Sequence, residues 1–216
     1  MPPVLRLYED ILANGAAASL PARPRMMLVM HGSITVAART LRDDEALSSE
    51  GAVSFSVSGE GATVWRWELF ASDAGDGAAA GAGVSSREKL SAWLDTLPKG
   101  ELLLRGDSVT FPPGGCAYLH RHQGPGIRCL VEGGFRIDSA GRSTSYAPGG
   151  AWYESGPEPV FAQAADRPTR FVRVMILPRA YLGKSSVEYL REEDKAKPKS
   201  QTYKIYVDMP IARPSE

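Results

Sequence analysis

Two of the chain's three histidines stand together as His120-Arg-His122. On a β-strand, residues i and i+2 point to the same face, so both imidazoles can converge on one point. Imidazole is a good ligand for Zn, Fe, Ni and Cu, which makes His120 and His122 candidate metal donors. Cys116 and Tyr118 share that strand parity. A zinc site built from Cys116, His120, His122 and Cys129 would satisfy the donor chemistry. No C-x2-C or H-x3-H spacing supports it, however, and small buried cysteines acting as core residues are the better expectation. His31, beside Gly32 at a predicted turn, reads as structural. Tyr118, Trp152 and Tyr153 would supply aromatic walls for a small organic ligand. Arg128, Arg136, Arg170 and Arg173 fall on predicted strands. If one or two point inward, the pocket prefers a carboxylate, because a guanidinium pairs with it through two hydrogen bonds.

The residues around the histidine pair read as strands cut by glycine and proline turns. Between Glu101 and Leu177 the breaks are Pro112-Pro-Gly-Gly115, Gly124-Pro-Gly126, Gly133-Gly134, Pro148-Gly-Gly150 and Gly156-Pro157. Short strands at such spacing predict a sandwich or barrel. Upstream, Leu5, Tyr8, Ile11 and Leu12 have helical spacing and stop at Asn14-Gly15, predicting a short helix over 5–13. Strands follow at 26–29, 33–37, 53–57 and 63–69, with Gly32 as a break. Residues 74–83 are almost all Gly and Ala and read as a flexible linker. Ser85-x-x-Glu88 then opens a predicted helix carrying Leu90, Trp93, Leu94 and Leu97, closed by Pro98-Lys-Gly100. Ser185-x-x-Glu188 predicts another short helix, and Thr202–Asp208 alternates as a strand. The two strand-rich stretches also parallel each other. Leu28–Val36 lines up with Leu130–Ile137, and Val64–Leu69 with Phe171–Leu177.

Gly114, five residues, His120-x-His122, then Leu130-Val-Glu-Gly133 resembles the first sequence motif of the cupin superfamily. Tyr146–Val160, with its Pro148-Gly-Gly150 turn, resembles the second. The resemblance covers residues 100–177. It implies an all-β fold of cupin-type double-stranded β-helix (jelly-roll) barrels, two of them, with a few short helices. On that reading residues 1–73 are a degenerate N-terminal barrel that lacks the histidine pair and 74–99 a linker and helix. Residues 100–180 are the barrel with the metal site, and 181–216 a helix and strand extension. The family's acidic ligand would fall at Gly126 or Ile127, and its third histidine near Tyr153 or Val160, so two of four usual ligands are missing. Glu154 and Gln123 are the candidate replacements. The resemblance therefore implies a divalent metal ion (Fe, Mn, Ni or Zn) held by His120 and His122 with Glu154 and Gln123. Two histidines and one carboxylate with open positions suit a non-haem Fe(II) or similar centre. The implied activity is a metal-dependent enzyme of dioxygenase, isomerase or decarboxylase type acting on a small, carboxylated metabolite. The alternative is a non-catalytic cupin that binds or senses a small molecule. A homodimer paired through exposed sheet edges is the implied assembly.

Composition sets the outer bounds. Lys plus Arg is 25 and Asp plus Glu is 25, a formal net charge of +0. That balance argues against a nucleic-acid partner and a polybasic membrane patch. At 43% hydrophobic residues the 216-residue chain can bury a core. No stretch reaches the ~18 apolar residues of a membrane span, and the N-terminus lacks the parts of a signal peptide. A soluble cytoplasmic protein is the expectation. Two cysteines are too few for a disulfide framework, and neither a phosphate loop nor a dinucleotide fingerprint occurs.

Overall fold

The computed structural model describes residues 2–71 and 75–214. Ala74, the first residue of the expected linker, lies outside them. The chain forms two compact units, Met1–Trp93 with Ile211–Glu216, and Leu94–Pro210.

Unit 1 is built from β1 (Val4–Leu12), β2 (Ala17–Leu20), β3 (Arg25–Val36), β4 (Arg39–Arg42), β5 (Ala46–Ser49), β6 (Val53–Ser56), β7 (Ala62–Phe70) and β8 (Val84–Trp93). They form one sheet in the order β2-β6-β3-β7-β1-β8, with β4 and β5 also paired to β3. Residues 5–13 are thus a strand and not a helix. β1 is central, flanked by β7 and β8, and Leu5, Leu7, Tyr8 and Leu12 are all buried. Burial on both faces hides the two-residue period, and short apolar runs of this kind imitate helical spacing. The helix expected from Ser85-x-x-Glu88 is also a strand. Ser85 pairs with Ile11 and Ser86 with Asp10, so pairing along β1 overrides the local capping signal. Residues 75–83 join β7 to β8 rather than linking two domains. They pack down, with the Gly77 N–H donating to Tyr8 Oη at 3.1 Å and Ala79 buried in the core.

The inward positions of β1, β3 and β7 carry a charge network. Arg66 donates to Asp10 through Nε at 2.8 Å and Nη2 at 3.1 Å, and its Nη1 lies 3.0 Å from Glu68. Arg25 Nε donates to Glu68 at 2.7 Å. All four side chains are fully buried.

Unit 2 contains β9 (Leu102–Phe111), β10 (Cys116–His122), β11 (Gly126–Glu132), β12 (Phe135–Ser139), β13 (Arg142–Tyr146), β14 (Ala151–Glu154), β15 (Val160–Ala164), β16 (Thr169–Pro178), β17 (Val187–Tyr189), α1 (Glu192–Ala196) and most of β18 (Thr202–Ile211). Two five-stranded sheets run β13-β12-β15-β10-β17 and β14-β11-β16-β9-β18. Phe111, Leu130, Trp152 and Phe171 from one sheet meet Ala117, Phe135, Ile137 and Val160 from the other in a shared core. The helix expected from Ser185 is displaced. Val187–Tyr189 instead pairs with the histidine strand, and the only α-helix of the described residues is the five-residue α1. Thr202–Asp208 falls within β18, beside β9.

One local device recurs in both units. β3 slips register against β7 between Val29 and His31, and β11 slips against β16 between Leu130 and Glu132. A left-handed glycine follows each bulge, Gly32 at φ 81° and Gly133 at φ 85°. At each, an added Cβ would fall against the returning strand, 2.1 Å from the Gly61 carbonyl oxygen and 2.5 Å from that of Pro168.

Candidate metal centre

β10 carries both histidines into the space between the sheets of unit 2, where His120 is 5% and His122 4% exposed. Nδ1 of His120 lies 2.7 Å from the Tyr118 carbonyl oxygen. That contact requires the proton on Nδ1 and leaves Nε2 with a free lone pair. Nε2 faces Nε2 of His122 at 3.3 Å. Burial lowers both imidazoles below their usual pKa, and His122 drops to about 3, so both are neutral at pH 7 and able to act as ligands.

Glu154 completes the group from β14. Its Oε2 lies 3.2 Å from His122 Nε2 and 2.8 Å from Arg128 Nη2, while Oε1 accepts from Trp152 Nε1 at 2.8 Å. Burial pushes the carboxyl up, but Arg128 first and then the imidazoles pull it further the other way. It stays ionised well below the usual carboxylate range. The register shows why the carboxylate comes from this strand and not from the position of the expected acidic ligand. Gly126 pairs directly with Glu154 on one side and Met175 on the other. A Cβ at Gly126 would sit 2.4 Å from the Val174 carbonyl oxygen. No side chain fits there, so the carboxylate reaches the same region from the neighbouring strand.

Glu154 Oε2, His122 Nδ1 and Arg128 Nη2 are all buried without a hydrogen-bond partner. Three acceptor-bearing groups, two of them neutral imidazoles, thus point at one another with an orphaned carboxylate oxygen among them. This donor set fits a divalent cation. It is not a closed cage: among the described residues no three His, Cys, Asp or Glu side chains are gathered around a single point. His122 bridges, with His120 on one side and Glu154 on the other, and Arg128 competes for the carboxylate. Its guanidinium is held by the Gly126 carbonyl oxygen at 2.6 Å, and burial lowers its pKa to about 10.

The other sequence candidates divide. Gln123 is not brought to the histidines; its amide donates to Glu188 at 3.0 Å, on the carboxylate that Arg121 also grips. Cys116 and Tyr118 do not share the histidine face, because β10 slips register against β15 between Ala117 and His120. The bulge puts Ala117 in the cavity wall with His120 and His122 and leaves Tyr118 under Lys197, whose Nζ is 4.7 Å from the ring. Cys129 is buried in β11 and forms no disulfide, and among the described residues no group of three or more His, Cys, Asp or Glu side chains joins it to Cys116. Trp152 stacks in the core against Tyr146 rather than lining the metal. Arg128 and Arg173 point inward, whereas Arg136 pairs with Asp138 at the surface and Arg170 donates to Tyr206. Arg173 is locked to Asp107 through Nε at 2.7 Å and Nη2 at 3.3 Å. Asp107, Tyr189 and Gln201 were not singled out in the sequence. Asp107 carries the one readable signal, an acid at the inward parity of an apolar strand.

No family profile and no curated protein matches the chain. Solved structures do. Oxalate decarboxylase from Lactobacillus farciminis, in a formate complex, aligns over 89% of this chain and 82% of its own, with TM-score 0.61 and 12% identity. A salicylate 1,2-dioxygenase from Pseudoaminobacter salicylatoxidans aligns over 81% and 70%, with TM-score 0.54 and 12% identity. A cupin 2 conserved barrel domain protein from Leptotrichia buccalis aligns over 81% and 84%, with TM-score 0.50 and 11% identity. At these identities the likeness speaks for architecture alone: the chain has a cupin fold, an all-β jelly-roll barrel.

Proposed function

We propose that unit 2 is a divalent-metal cupin acting on a small organic anion, with the metal held by His120 and His122 and Glu154 as third ligand. The carrying observation is the run of His120 Nε2, His122 Nε2 and Glu154 Oε2 in steps of 3.3 and 3.2 Å, the last oxygen without a hydrogen-bond partner. Bound there, the metal would supply a Lewis acid with open positions for a ligand oxygen. The chain's own residues do the rest. The Tyr118 carbonyl sets the His120 tautomer, the apolar plug of Phe111, Phe135 and Phe171 excludes water from below, and Arg128 and Arg173 line the chamber, each paired with a carboxylate, Glu154 and Asp107. Lys184, which lines the adjoining cavity without an ion pair among the described residues, supplies the positive charge that favours a carboxylate, and a bound metal would add to it. Decarboxylase, dioxygenase and isomerase chemistry are all open to this arrangement, and the two enzymes named above belong to the first two types.

The same proposal takes unit 1 as a second copy of the barrel. Its support is the shared bulge, glycine and buried arginine: Gly32 corresponds to Gly133, one residue out of step with the Leu28–Leu130 alignment of the sequences, and Arg66 to Arg173, in step with Val64–Phe171. Unit 1 has no histidine at this level, and its interior is filled by the Asp10–Arg66–Glu68–Arg25 network. A small-molecule ligand, a homodimer and a cytoplasmic location complete the reading, in keeping with zero net charge. Among the described residues no helix is long and apolar enough to cross a membrane.

A second reading, a metal-free binding or sensing barrel, is favoured by one observation. Arg128 already places a cation 2.8 Å from Glu154. Elemental analysis of the purified protein separates the two. Near-stoichiometric Fe, Mn, Ni or Zn that disappears in the His120→Ala/His122→Ala variant supports the metal reading. A native protein without metal, and unable to take it up on dialysis, supports the second.

A further inference from the structure

The chamber above the histidines is walled by residues from the C-terminal extension. Val187 and Tyr189 of β17 and Gln201 and Tyr203 at the start of β18 face both the histidine site and an outer cavity of about 370 Å³. Tyr189 sits directly across from His120 in the strand pairing, with ring centroids 6.1 Å apart. Between the two tyrosines lies Gln201, only 8% exposed. Its Nε2 donates to Tyr189 Oη at 3.1 Å and to Tyr203 Oη at 3.2 Å. Both amide protons are therefore used. Its Oε1 is buried without any hydrogen-bond partner. A buried acceptor left unmade costs about 1–3 kcal/mol, so the fold keeps a binding capacity here that nothing in the protein satisfies.

The charges around the cavity define what could bring that donor. Arg105 is neutralised by Asp208 and Arg173 by Asp107. Lys184 and Lys199 also line the cavity. Lys199 Nζ donates to the Asp194, Lys195 and Lys197 carbonyl oxygens and lies 4.2 Å from the Tyr189 ring. That leaves Lys184, without an ion-pair partner among the described residues, as the cation available to a ligand. The walls between are Val187, Tyr189, Tyr203 and Ile205, apolar and aromatic. A cavity of roughly 150 Å³ accepts benzene, so this one has room for a substituted ring or a chain of similar size.

We infer that Gln201, braced by Tyr189 and Tyr203, reads a hydrogen-bond donor on the ligand, so that the barrel selects organic anions bearing a hydroxyl or amino group over the same anions without one. The inference rests on the reading that this barrel binds a small organic anion, but not on the metal.

Isothermal titration of the full chain with benzoate, 4-hydroxybenzoate and 4-aminobenzoate tests it, in metal-supplemented and metal-stripped protein. The two donor-bearing compounds should bind about tenfold more tightly than benzoate, the gain from one well-placed hydrogen bond to a buried acceptor. In Gln201→Met, which keeps the side-chain length, the ratio should fall to near one with benzoate affinity unchanged. In Tyr189→Phe/Tyr203→Phe the amide loses its braces and the ratio should fall several-fold. Equal affinities in the wild type, a ratio that survives Gln201→Met, or no measurable binding by any of the three would overturn the inference. So would a preference for 4-methoxybenzoate, which offers only an acceptor. A donor preference in stripped protein supports the inference even where the metal reading fails. A metal-loaded protein without that preference leaves the metal reading standing and removes this one.

Discussion

Arg128 and a metal ion would compete for the same oxygen of Glu154. The guanidinium lies 2.8 Å from Oε2, the Arg128 side chain is 1% and the Glu154 side chain 9% exposed, and neither atom completes a hydrogen bond. Removing one partner of a buried pair leaves the other charge uncompensated, at about 3–5 kcal/mol. Arg128→Met should therefore lower the stability of metal-stripped protein by about that amount, measured by urea denaturation. Adding Zn(II) or Mn(II) should then restore the variant by more than it stabilises the wild type, because Glu154 has no other cation. A variant whose loss is indifferent to metal would take Glu154 out of the ligand set. At this scale the histidine pair was legible because its spacing alone aims both rings at one point. Glu154 was legible as a carboxylate just past a glycine turn, whereas the closed space at Gly126, which leaves no room for a side chain beside it, is a property of strand packing. The faces of Cys116 and Tyr118 were not legible, since one bulge between Ala117 and His120 reverses parity without leaving a mark in the residues. Nor could residue type say which of four strand arginines would turn inward.

Strands carry the site into place, and bulges set their aim. Gly133 lets β11 turn out of its bulge at φ 85°, with Thr169 Oγ1 2.3 Å from where a Cβ would stand. Gly133→Ala should combine backbone strain of ~1–3 kcal/mol with a steric clash of similar size. The expected loss is about 3 kcal/mol in denaturant unfolding, and Gly32→Ala in unit 1 should behave alike. A loss under about 0.5 kcal/mol, the scale of an ordinary surface change, would show that the turn tolerates other conformations. The glycine turns of 101–177 predicted the strands of unit 2 well, because each break is local chemistry. The expected helices at 5–13 and 85–97 failed for the opposite reason. Their fate was decided by partners: β1 pairs with β7 and β8 over nearly its whole length, and that ladder outweighs a few tenths of a kcal/mol of helix preference per residue.

The interiors of the two units differ in what they leave open, and this gives a test at the level of the whole chain. In unit 1 the inward charges pair with one another, Arg66 through two bonds to Asp10 and Arg25 to Glu68, with Arg66 Nη1 3.0 Å from Glu68 Oε2. In unit 2 two neutral imidazoles stand beside the carboxylate of Glu154, and Gln201 Oε1 is buried without a partner. The bulge and left-handed glycine common to both units were not legible beyond Gly32 and Gly133 themselves. Nor was it legible that unit 2 sets imidazoles beside its buried carboxylate where unit 1 sets guanidiniums, because that depends on which side chains meet across strands. A ligand that binds only the native state stabilises it by about 2.7 kcal/mol at a hundredfold excess over Kd. If a divalent metal binds as proposed, hydrogen exchange followed by mass spectrometry should show slower exchange in β10, β11 and β14 on adding Mn(II) or Zn(II). Exchange in β1, β3 and β7 should be unchanged, since unit 1 offers no comparable set of free donors. The effect should vanish in His120→Ala/His122→Ala. Equal slowing in both units would mean that the metal acts elsewhere, and slowing confined to unit 1 would place the metal there and not at the histidine pair.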